Sequence, residues 1–311
     1  MTDPVPIRRA IPVDATVTRW AAPDGWQLRR FDWPAAGDVP RGGILFQGGR
    51  GDVFEKYLES FAHWHDQGWT IAAFDWRGQG GSGRLSPDPH VGHAIDFAPW
   101  IADLAAFWRD WDVAGPRVAM GHSMGGHLVL RALLEEAIDP AAAVLIAPML
   151  GLKSPVGAGV AERVARLMRR IGDPARPAWK GHERPGARLD RRTLLTADQS
   201  RYDDEQYWYE EVPEIKLGPP SWAWLAEAFA STRAQRGDPR LATIKTPLLM
   251  LIADADGLVD SRAAVALAAR LPTAQVVRFG RESAHEILRE ADPVRDRALA
   301  AIDAFLTAHA R

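Results

Sequence analysis

Short apolar runs alternate with helix-like stretches along most of the chain, and this alternation limits the folds available to it. The runs are continuously apolar rather than alternating with polar residues, which is typical of parallel strands that are buried on both faces. The clearest of them lie at 42–47, 69–74, 117–120, 143–147, 247–252 and 275–279. Two earlier segments, 16–20 and 26–33, flank Pro23-Asp24-Gly25 and predict an antiparallel hairpin. The order predicts an α/β fold in which a mostly parallel sheet is covered by helices on both faces.

The alternation stops near residue 150 and resumes near residue 240. Between these positions the chain is rich in Pro, Arg and Trp, and its patterns indicate helices but no buried strand. One interrupted sheet explains this better than two independent domains. We therefore expect a core built from residues 1–150 and 241–311, with an inserted helical cap at 151–240.

A possible nucleophile lies between the third and fourth of the listed runs. Gly121-His122-Ser123-Met124-Gly125 follows an apolar run and precedes a helix-like segment, which is the context of a G-x-S-x-G nucleophile elbow. The turn in such an elbow is so sharp that side chains at the two flanking positions would clash with the backbone, hence the glycines. The serine then stands clear of the sheet edge, near the positive end of the following helix. Ser123 is the candidate nucleophile.

A serine hydroxyl needs a base to take its proton and a carboxylate to orient that base. In a doubly wound hydrolase these partners follow in the order Ser, Asp, His, in loops at the carboxyl ends of later strands. The loop after the run at 247–252 offers Asp254, Asp256 and Asp260. Asp260 is placed as a helix N-cap, and we prefer Asp256 at the loop apex; alternatively, all three only cap and solvate the turn. His285 follows the last predicted strand and is the candidate base.

The tetrahedral intermediate of acyl transfer also needs two backbone N–H donors for its oxyanion. One predicted donor is Met124, the residue after the nucleophile. The other is Gly49 in the turn at 47–52, because glycine lets the backbone approach a substrate closely. The alternative is that this turn is simply flexible. The predicted mechanism requires no metal and no cofactor.

Several segments resemble one family. They are FQGGRGDVFEKY at 46–57, DWRGQGGS at 75–82, LTAD at 195–198, RY at 201–202 and AHEILRE at 284–290. Together they are similar to the bacterial lysophospholipase and monoacylglycerol lipase branch of the α/β hydrolases, over most of the chain from about residue 15. One departure is Gln47, where the lipases usually have histidine before the glycine.

The resemblance implies an eight-stranded hydrolase fold, a Ser123–Asp256–His285 triad and oxyanion donors at Gly49 and Met124. It also implies a serine esterase that cleaves the acyl ester of a single-chain lipid, a lysophospholipid or a monoacylglycerol. The same triad serves peptidases, thioesterases and acyltransferases, which remain alternatives. A more remote alternative, an inactive binding protein, would be expected to lack a triad member. In the 75–82 segment we expect Asp75 and Arg77 to brace the nucleophile turn.

The composition limits the binding partners and the cellular compartment that we expect for the protein. The formal net charge of −2 gives no reason to expect a nucleic-acid partner, and the absence of cysteine excludes disulfides and thiolate chemistry. The N-terminal residues carry no apolar stretch typical of a secretory signal, and no run approaches the roughly 18 apolar residues of a spanning helix. We expect a cytoplasmic protein whose substrate is a small acyl ester or lipid.

Two features of the cap bear on that substrate. One helix carries an apolar stripe, with arginines largely off the stripe; the stripe is Val160, Val164, Leu167, Met168 and Ile171, and the arginines are 163, 166, 169 and 170. The basic face either is simply solvated or contacts anionic head groups at a membrane surface. Five aromatic residues either line an acyl pocket or form the cap's own core: Trp179, Trp208, Tyr209, Trp222 and Trp224.

Overall fold

In the part of the chain that the structure describes, a single sheet of eight strands forms the centre of the molecule. The computed structural model describes residues 7–37, 39–179 and 191–311. The strands are β1 (Thr16–Ala21), β2 (Gln27–Trp33), β3 (Gly42–Gln47), β4 (Trp69–Phe74), β5 (Arg117–His122), β6 (Ala142–Ile146), β7 (Leu248–Ala253) and β8 (Ala274–Phe279). Their order across the sheet is β1-β2-β4-β3-β5-β6-β7-β8. The pairs β1–β2 and β2–β4 are antiparallel, and the other pairs are parallel. This confirms the predicted α/β fold and its N-terminal hairpin.

Helices cover both faces of the sheet. They are α1 (Leu58–Asp66), α2 (Ala98–Asp110), α3 (Met124–Leu134), α4 (Ala158–Arg170), α5 (Arg191–Leu195), α6 (Gln199–Glu211), α7 (Trp222–Gly237), α8 (Ser261–Ala268) and α9 (Asp292–His309). The core on one face includes buried residues of α2, α3, α7 and α8, and the core on the other includes those of α1, α6 and α9. Every residue of β3, β6 and β7 is buried, as expected for strands covered on both sides.

The helices α4 to α7 lie between β6 and β7, where the sequence predicts a cap. Ala161 and Ala165 of α4 pack against Ala226 and Phe229 of α7. The same helix α7 also contributes Trp224 to the large core on one face of the sheet, so it joins the predicted cap, called the cap from here on, to that core. Among the helices that the structure describes, none has the length and apolar character needed to cross a membrane.

Two charged residues in the loop after β4 have different partners from those that the sequence predicts. The Asp75 carboxylate accepts a hydrogen bond from the Gly81 amide at 2.7 Å and lies 3.2 Å from Arg29 Nε, on β2. Arg77 forms an ion pair with Asp103 of α2 at 2.6 Å. The expectation that Asp75 and Arg77 brace the nucleophile turn was therefore wrong. These charges hold the loop to the hairpin and to α2 instead.

Candidate active site

Ser123 occupies the sharp turn between β5 and α3. Its backbone has φ 53° and ψ −116°, a conformation that costs a non-glycine residue about 1–3 kcal/mol. A Cβ placed on Gly121 would lie 2.5 Å from the Gly125 carbonyl carbon, and one on Gly125 would lie 2.2 Å from the Gln47 oxygen. Real Cβ atoms do not approach backbone so closely. The two glycines are therefore required for the turn that presents the serine.

The three residues of the predicted triad lie together in one hydrogen-bonded chain. His285 Nε2 is 2.8 Å from Ser123 Oγ, and His285 Nδ1 is 2.5 Å from Asp256 Oδ2. In the tautomer that fits, Nδ1–H donates to the carboxylate and Nε2 accepts from the serine hydroxyl. The residues follow the carboxyl ends of β5, β7 and β8, which meet at one edge of the sheet.

The electrostatic setting keeps the acid ionised and makes the histidine more basic. Burial alone would raise the pKa of Asp256, but the charge and hydrogen bond of His285 and the amides of Val259 and Leu258 lower it below its ordinary value. Burial alone would lower the pKa of His285, but Asp256, with further help from Glu286, raises it above its ordinary value. The imidazole is therefore suited to accept the serine proton.

The other two acids of the β7 loop have structural contacts. Asp260 accepts hydrogen bonds from the amides of Arg262 and Ala263, which confirms the predicted N-cap of α8. Asp254 lies at the exposed strand end and forms an ion pair with Arg278 at 3.0 Å. Asp256 differs from both because it is fully buried and directed at the imidazole.

The two predicted oxyanion donors both adjoin the nucleophile, one along the chain and the other through a packing contact. Met124 is the first residue of α3, so its amide is among those without an intrahelical partner. Gly49 packs against the serine, since a Cβ on Gly49 would lie 2.9 Å from Ser123 Cβ. In this conformation, however, the Gly49 N–H donates to Asp52 Oδ2 at 2.7 Å. The oxyanion roles of both amides stay predictions.

Asp52 is a buried acid to which sequence reasoning assigned no role. Its Oδ2 accepts from the Tyr57 hydroxyl at 2.7 Å and lies 2.8 Å from Nδ1 of His122, the residue before the nucleophile. Burial alone would raise the pKa of Asp52, but Lys56 and His122 hold it well below its ordinary value. One ionised carboxylate thus connects the turn after β3 to the nucleophile elbow through its bonds to Gly49 and His122.

Lys56 extends this buried network to the cap and to the histidine loop. Its ammonium lies 2.5 Å from Asp52 Oδ1, 2.6 Å from Glu286 Oε1 and 3.2 Å from Glu205 Oε1. Glu205 belongs to α6 of the cap, and Glu286 follows His285. Burial lowers the pKa of Lys56, but the three carboxylates raise it above its ordinary value. The i, i+4 spacing of Asp52 and Lys56 was the available sequence signal, although it gives no indication of the distant acids.

The cap also holds the histidine loop through backbone hydrogen bonds. The amide of His285 donates to the carbonyl oxygen of Leu194 at 3.3 Å, and the amide of Glu286 donates to that of Leu195 at 2.8 Å. The Thr196 hydroxyl, fully buried, donates to the Arg289 carbonyl oxygen at 2.7 Å. Helix α5 and the residue after it therefore fix the segment that carries the base.

Three of the five cap aromatics take part in core packing. Trp208 and Tyr209 belong to the core on the α1–α9 face, and Trp224 belongs to the core on the opposite face. Trp222 packs against the small cluster between α4 and α7. For these side chains the structure favours packing over an acyl pocket.

The sheet, the elbow and the Ser–His–Asp chain are those of the α/β-hydrolase class of serine hydrolases. A family model described as serine aminopeptidase, S33 (Hydrolase_4), matches residues 38–292. The chain belongs to this family.

The chain is similar to proteins from several named organisms. The chain is 29% identical to lysophospholipase L2 of Escherichia coli strain K12, over 95% of this chain and 92% of that protein. A soluble variant of monoglyceride lipase from Saccharomyces cerevisiae superposes with a TM-score of 0.76 at 18% identity and covers 99% of both chains. Monoacylglycerol lipase from Paleococcus ferrophilus superposes with a TM-score of 0.71 at 21% identity, over 91% of this chain and 99% of that one. The two solved structures support the fold.

Proposed function

We propose that the protein is a serine ester hydrolase that cleaves the acyl ester of a single-chain lipid, a lysophospholipid or a monoacylglycerol. The observation that carries the proposal is the continuous hydrogen-bonded chain from Ser123 Oγ through His285 to the buried Asp256. The choice of a lipid ester is supported by the similarity to lysophospholipase L2.

In the proposed reaction Ser123 Oγ attacks the ester carbonyl while His285 Nε2 takes its proton. Asp256 holds the imidazole in the required tautomer and stabilises the imidazolium that forms. The oxyanion is stabilised by the Met124 amide and by the Gly49 amide, which must exchange its Asp52 partner for the oxyanion. The protonated His285 then gives its proton to the leaving alcohol. A water molecule activated by the same imidazole attacks the acyl-enzyme and releases the fatty acid.

The Ser123→Ala substitution tests the assignment. We expect kcat with a short-chain p-nitrophenyl ester to fall by about four orders of magnitude or more, because the variant has no nucleophile. Full residual turnover would contradict the proposal. Aminoacyl p-nitroanilides and acyl-thioesters, assayed beside lysophospholipid and monoacylglycerol, distinguish a peptidase or thioesterase from a lipid esterase.

We further propose that the protein contacts membranes peripherally through α4. This helix packs its alanines against α7 and leaves large aliphatic side chains in solvent: Val160, Val164, Leu167 and, just after the helix, Ile171 are between 43% and 56% exposed. Arg163, Arg166 and Arg170 are exposed on the same helix. An exposed apolar stripe beside arginines complements a surface of anionic lipid head groups.

Vesicle co-sedimentation tests this contact. We expect binding to vesicles that contain phosphatidylglycerol to weaken severalfold when Val164 and Leu167 are both changed to Gln, because less apolar surface is buried at the interface. A matched control changes two exposed valines of the sheet, Val17→Gln and Val276→Gln. Changing Arg163, Arg166, Arg169 and Arg170 to Gln should weaken binding to anionic vesicles. Equal binding by all these variants, or no binding by the wild type, would overturn the proposal.

A further inference from the structure

Arg50 lies at the boundary between the site and the cap. It directly follows Gly49, whose position against Ser123 Cβ places this turn beside the nucleophile. The Arg50 guanidinium donates to the carbonyl oxygen of Gly218, in the segment before α7, at 2.9 Å. It also lies 5.5 Å from the centroid of the Trp224 ring. The side chain therefore extends from the predicted oxyanion turn to the segment before α7 and to the first turn of α7.

The positive charge of Arg50 has no anionic partner in the part of the chain that the structure describes. No carboxylate there lies within 4.0 Å of its guanidinium, although the neighbouring Arg191 is held by both oxygens of Glu205 at 2.6 and 2.8 Å. Burial, with Arg191 adding to it, lowers the pKa of Arg50 to about 10, although Tyr209 and the more distant charge of Asp52 act to raise it, so the group is still charged at neutral pH. Charges removed from water normally find a counter-charge. Among the described residues the guanidinium donates only to the Gly218 carbonyl oxygen, so most of its five donors are left for an anion.

A second cation lies close to the same turn. Lys216 Nζ is 5.5 Å from the centroid of the Tyr209 ring. The Tyr209 hydroxyl donates to Glu205 Oε1 at 2.9 Å and lies 3.4 Å from the carbonyl oxygen of Gly51. Within the described residues Lys216 also has no carboxylate at ion-pair distance. Arg50 and Lys216 thus lie near the turn that follows Gly49, and neither forms an ion pair with a carboxylate of the described residues.

We propose that Arg50, assisted by Lys216, binds the phosphate of a phospholipid head group while Ser123 attacks the acyl ester. This inference rests on the proposed ester hydrolysis and selects the lysophospholipid as the preferred substrate. A planar guanidinium binds a phosphate through two parallel hydrogen bonds. Six covalent bonds separate the ester carbonyl carbon from phosphorus in a 1-acyl lysophospholipid, a reach of at most about 8 Å. A monoacylglycerol offers no anion at that distance.

The test compares two lipids with the same acyl chain in the same detergent micelles, 1-palmitoyl lysophosphatidylcholine and 1-palmitoylglycerol. Fatty acid release gives the ratio of the two kcat/KM values for each variant. We expect Arg50→Gln to lower the ratio, phospholipid over glyceride, by about ten- to a hundredfold, as for the loss of charge-assisted hydrogen bonds. The loss should fall mainly on KM. Arg50→Lys should recover part of the ratio, and Lys216→Gln should lower it less than Arg50→Gln does.

Arg262→Gln is the matched control, because it removes one exposed arginine of α8 and should leave the ratio unchanged. If Arg50→Gln lowers both kcat/KM values equally, or changes neither, the phosphate role is wrong and Arg50 only positions the turn or the cap. That result leaves ester hydrolysis intact. Absence of turnover on every ester by the wild-type protein would instead overturn the proposed function itself.

Discussion

Ser123 has an unfavourable backbone conformation, and backbone hydrogen bonds to neighbouring segments hold it there. Its amide donates to the Ile146 carbonyl oxygen at 2.9 Å, and its own carbonyl oxygen accepts from the Met149 amide at 2.9 Å. Both contacts tie the turn to β6 and to the residues that follow it. The strain at this residue is maintained by the neighbouring strand, which keeps the hydroxyl directed at His285.

The raised pKa of His285 predicts a specific pH dependence. The imidazole must be neutral to take the serine proton, so activity is lost as the pH falls through its pKa. That pKa lies above the ordinary value of 6.5, because Asp256 and then Glu286 outweigh the effect of burial. We expect kcat/KM for a p-nitrophenyl ester to rise with pH through a midpoint above 6.5. A pH–rate profile of the wild-type protein measures the midpoint.

The pH–rate profile of the Glu286→Gln variant, compared with that of the wild-type protein, tests the cause of the raised pKa. Removing this negative charge should move the midpoint to lower pH, because Glu286 is one of the groups that raise the pKa of His285. Glu282→Gln removes an exposed acid of the same loop and serves as the control, with an unchanged midpoint expected. A wild-type midpoint below 6.5, or the same shift in both variants, would contradict this account.

The sequence predicted the residues of the candidate triad, but it did not predict the buried side chains that hold the neighbouring turns in place. Chain order and strand ends indicate Ser123, Asp256 and His285, because the carboxyl ends of parallel strands share one edge of a sheet. Asp52 could not be assigned in the same way. Its partners Gly49 and Tyr57 are close to it in the sequence. Its partner His122 is distant in the sequence and comes close only because β3 pairs with β5. Contacts of this kind depend on side-chain packing rather than on pattern.

At the scale of elements, the segment after α5 and the loop after β8 act as one unit. Thr196 donates to the Arg289 carbonyl oxygen and accepts from the Asp198 amide at 3.0 Å. The Ala197 amide donates to Glu290 at 2.9 Å. The sequence shows both segments as features of the family, but only the structure shows that they bind each other. The inserted segment therefore contributes to the placement of the candidate base.

Thr196→Val tests this role. Valine keeps the shape of the buried side chain but leaves the Arg289 carbonyl oxygen and the Asp198 amide without their partner. We expect the free energy of unfolding to fall by about 1–3 kcal/mol. We also expect kcat to fall severalfold, because the loop that carries His285 is held less firmly. Urea denaturation and ester turnover measure the two effects.

The control for that substitution is Thr18→Val, on the exposed strand β1, where valine suits a strand and no buried group loses a partner. Its stability and kcat should both stay near the wild-type values. If Thr196→Val loses stability without any loss of kcat, α5 supports the fold and not the placement of the base.

At the scale of the whole molecule, the sheet was predictable because its central strands, β3 to β7, are almost wholly buried and form continuous apolar runs. The hairpin was predictable for a different reason, because its two strands flank a Pro-Asp-Gly turn. The cap was less predictable, because its helices contact the core, each other and solvent on different faces. Helix α7 packs in the main core through Trp224 and against α4 through Phe229, whereas α4 leaves its aliphatic stripe in solvent. Periodicity identifies such a stripe but not what covers it.

The contacts of α4 and of the α5–α6 region imply different evolutionary constraints within the inserted segment. Around α5 and α6, Leu194, Thr196 and Glu205 are bound to the loops that carry the triad and to Lys56, so a change there alters the reaction centre. The outer face of α4 makes no comparable demand on residue identity, since one aliphatic side chain can replace another in solvent or in lipid. Among proteins related to this chain, the residues of α5 and α6 should therefore change slowly. The residues on the outer face of α4 should change more readily but stay apolar.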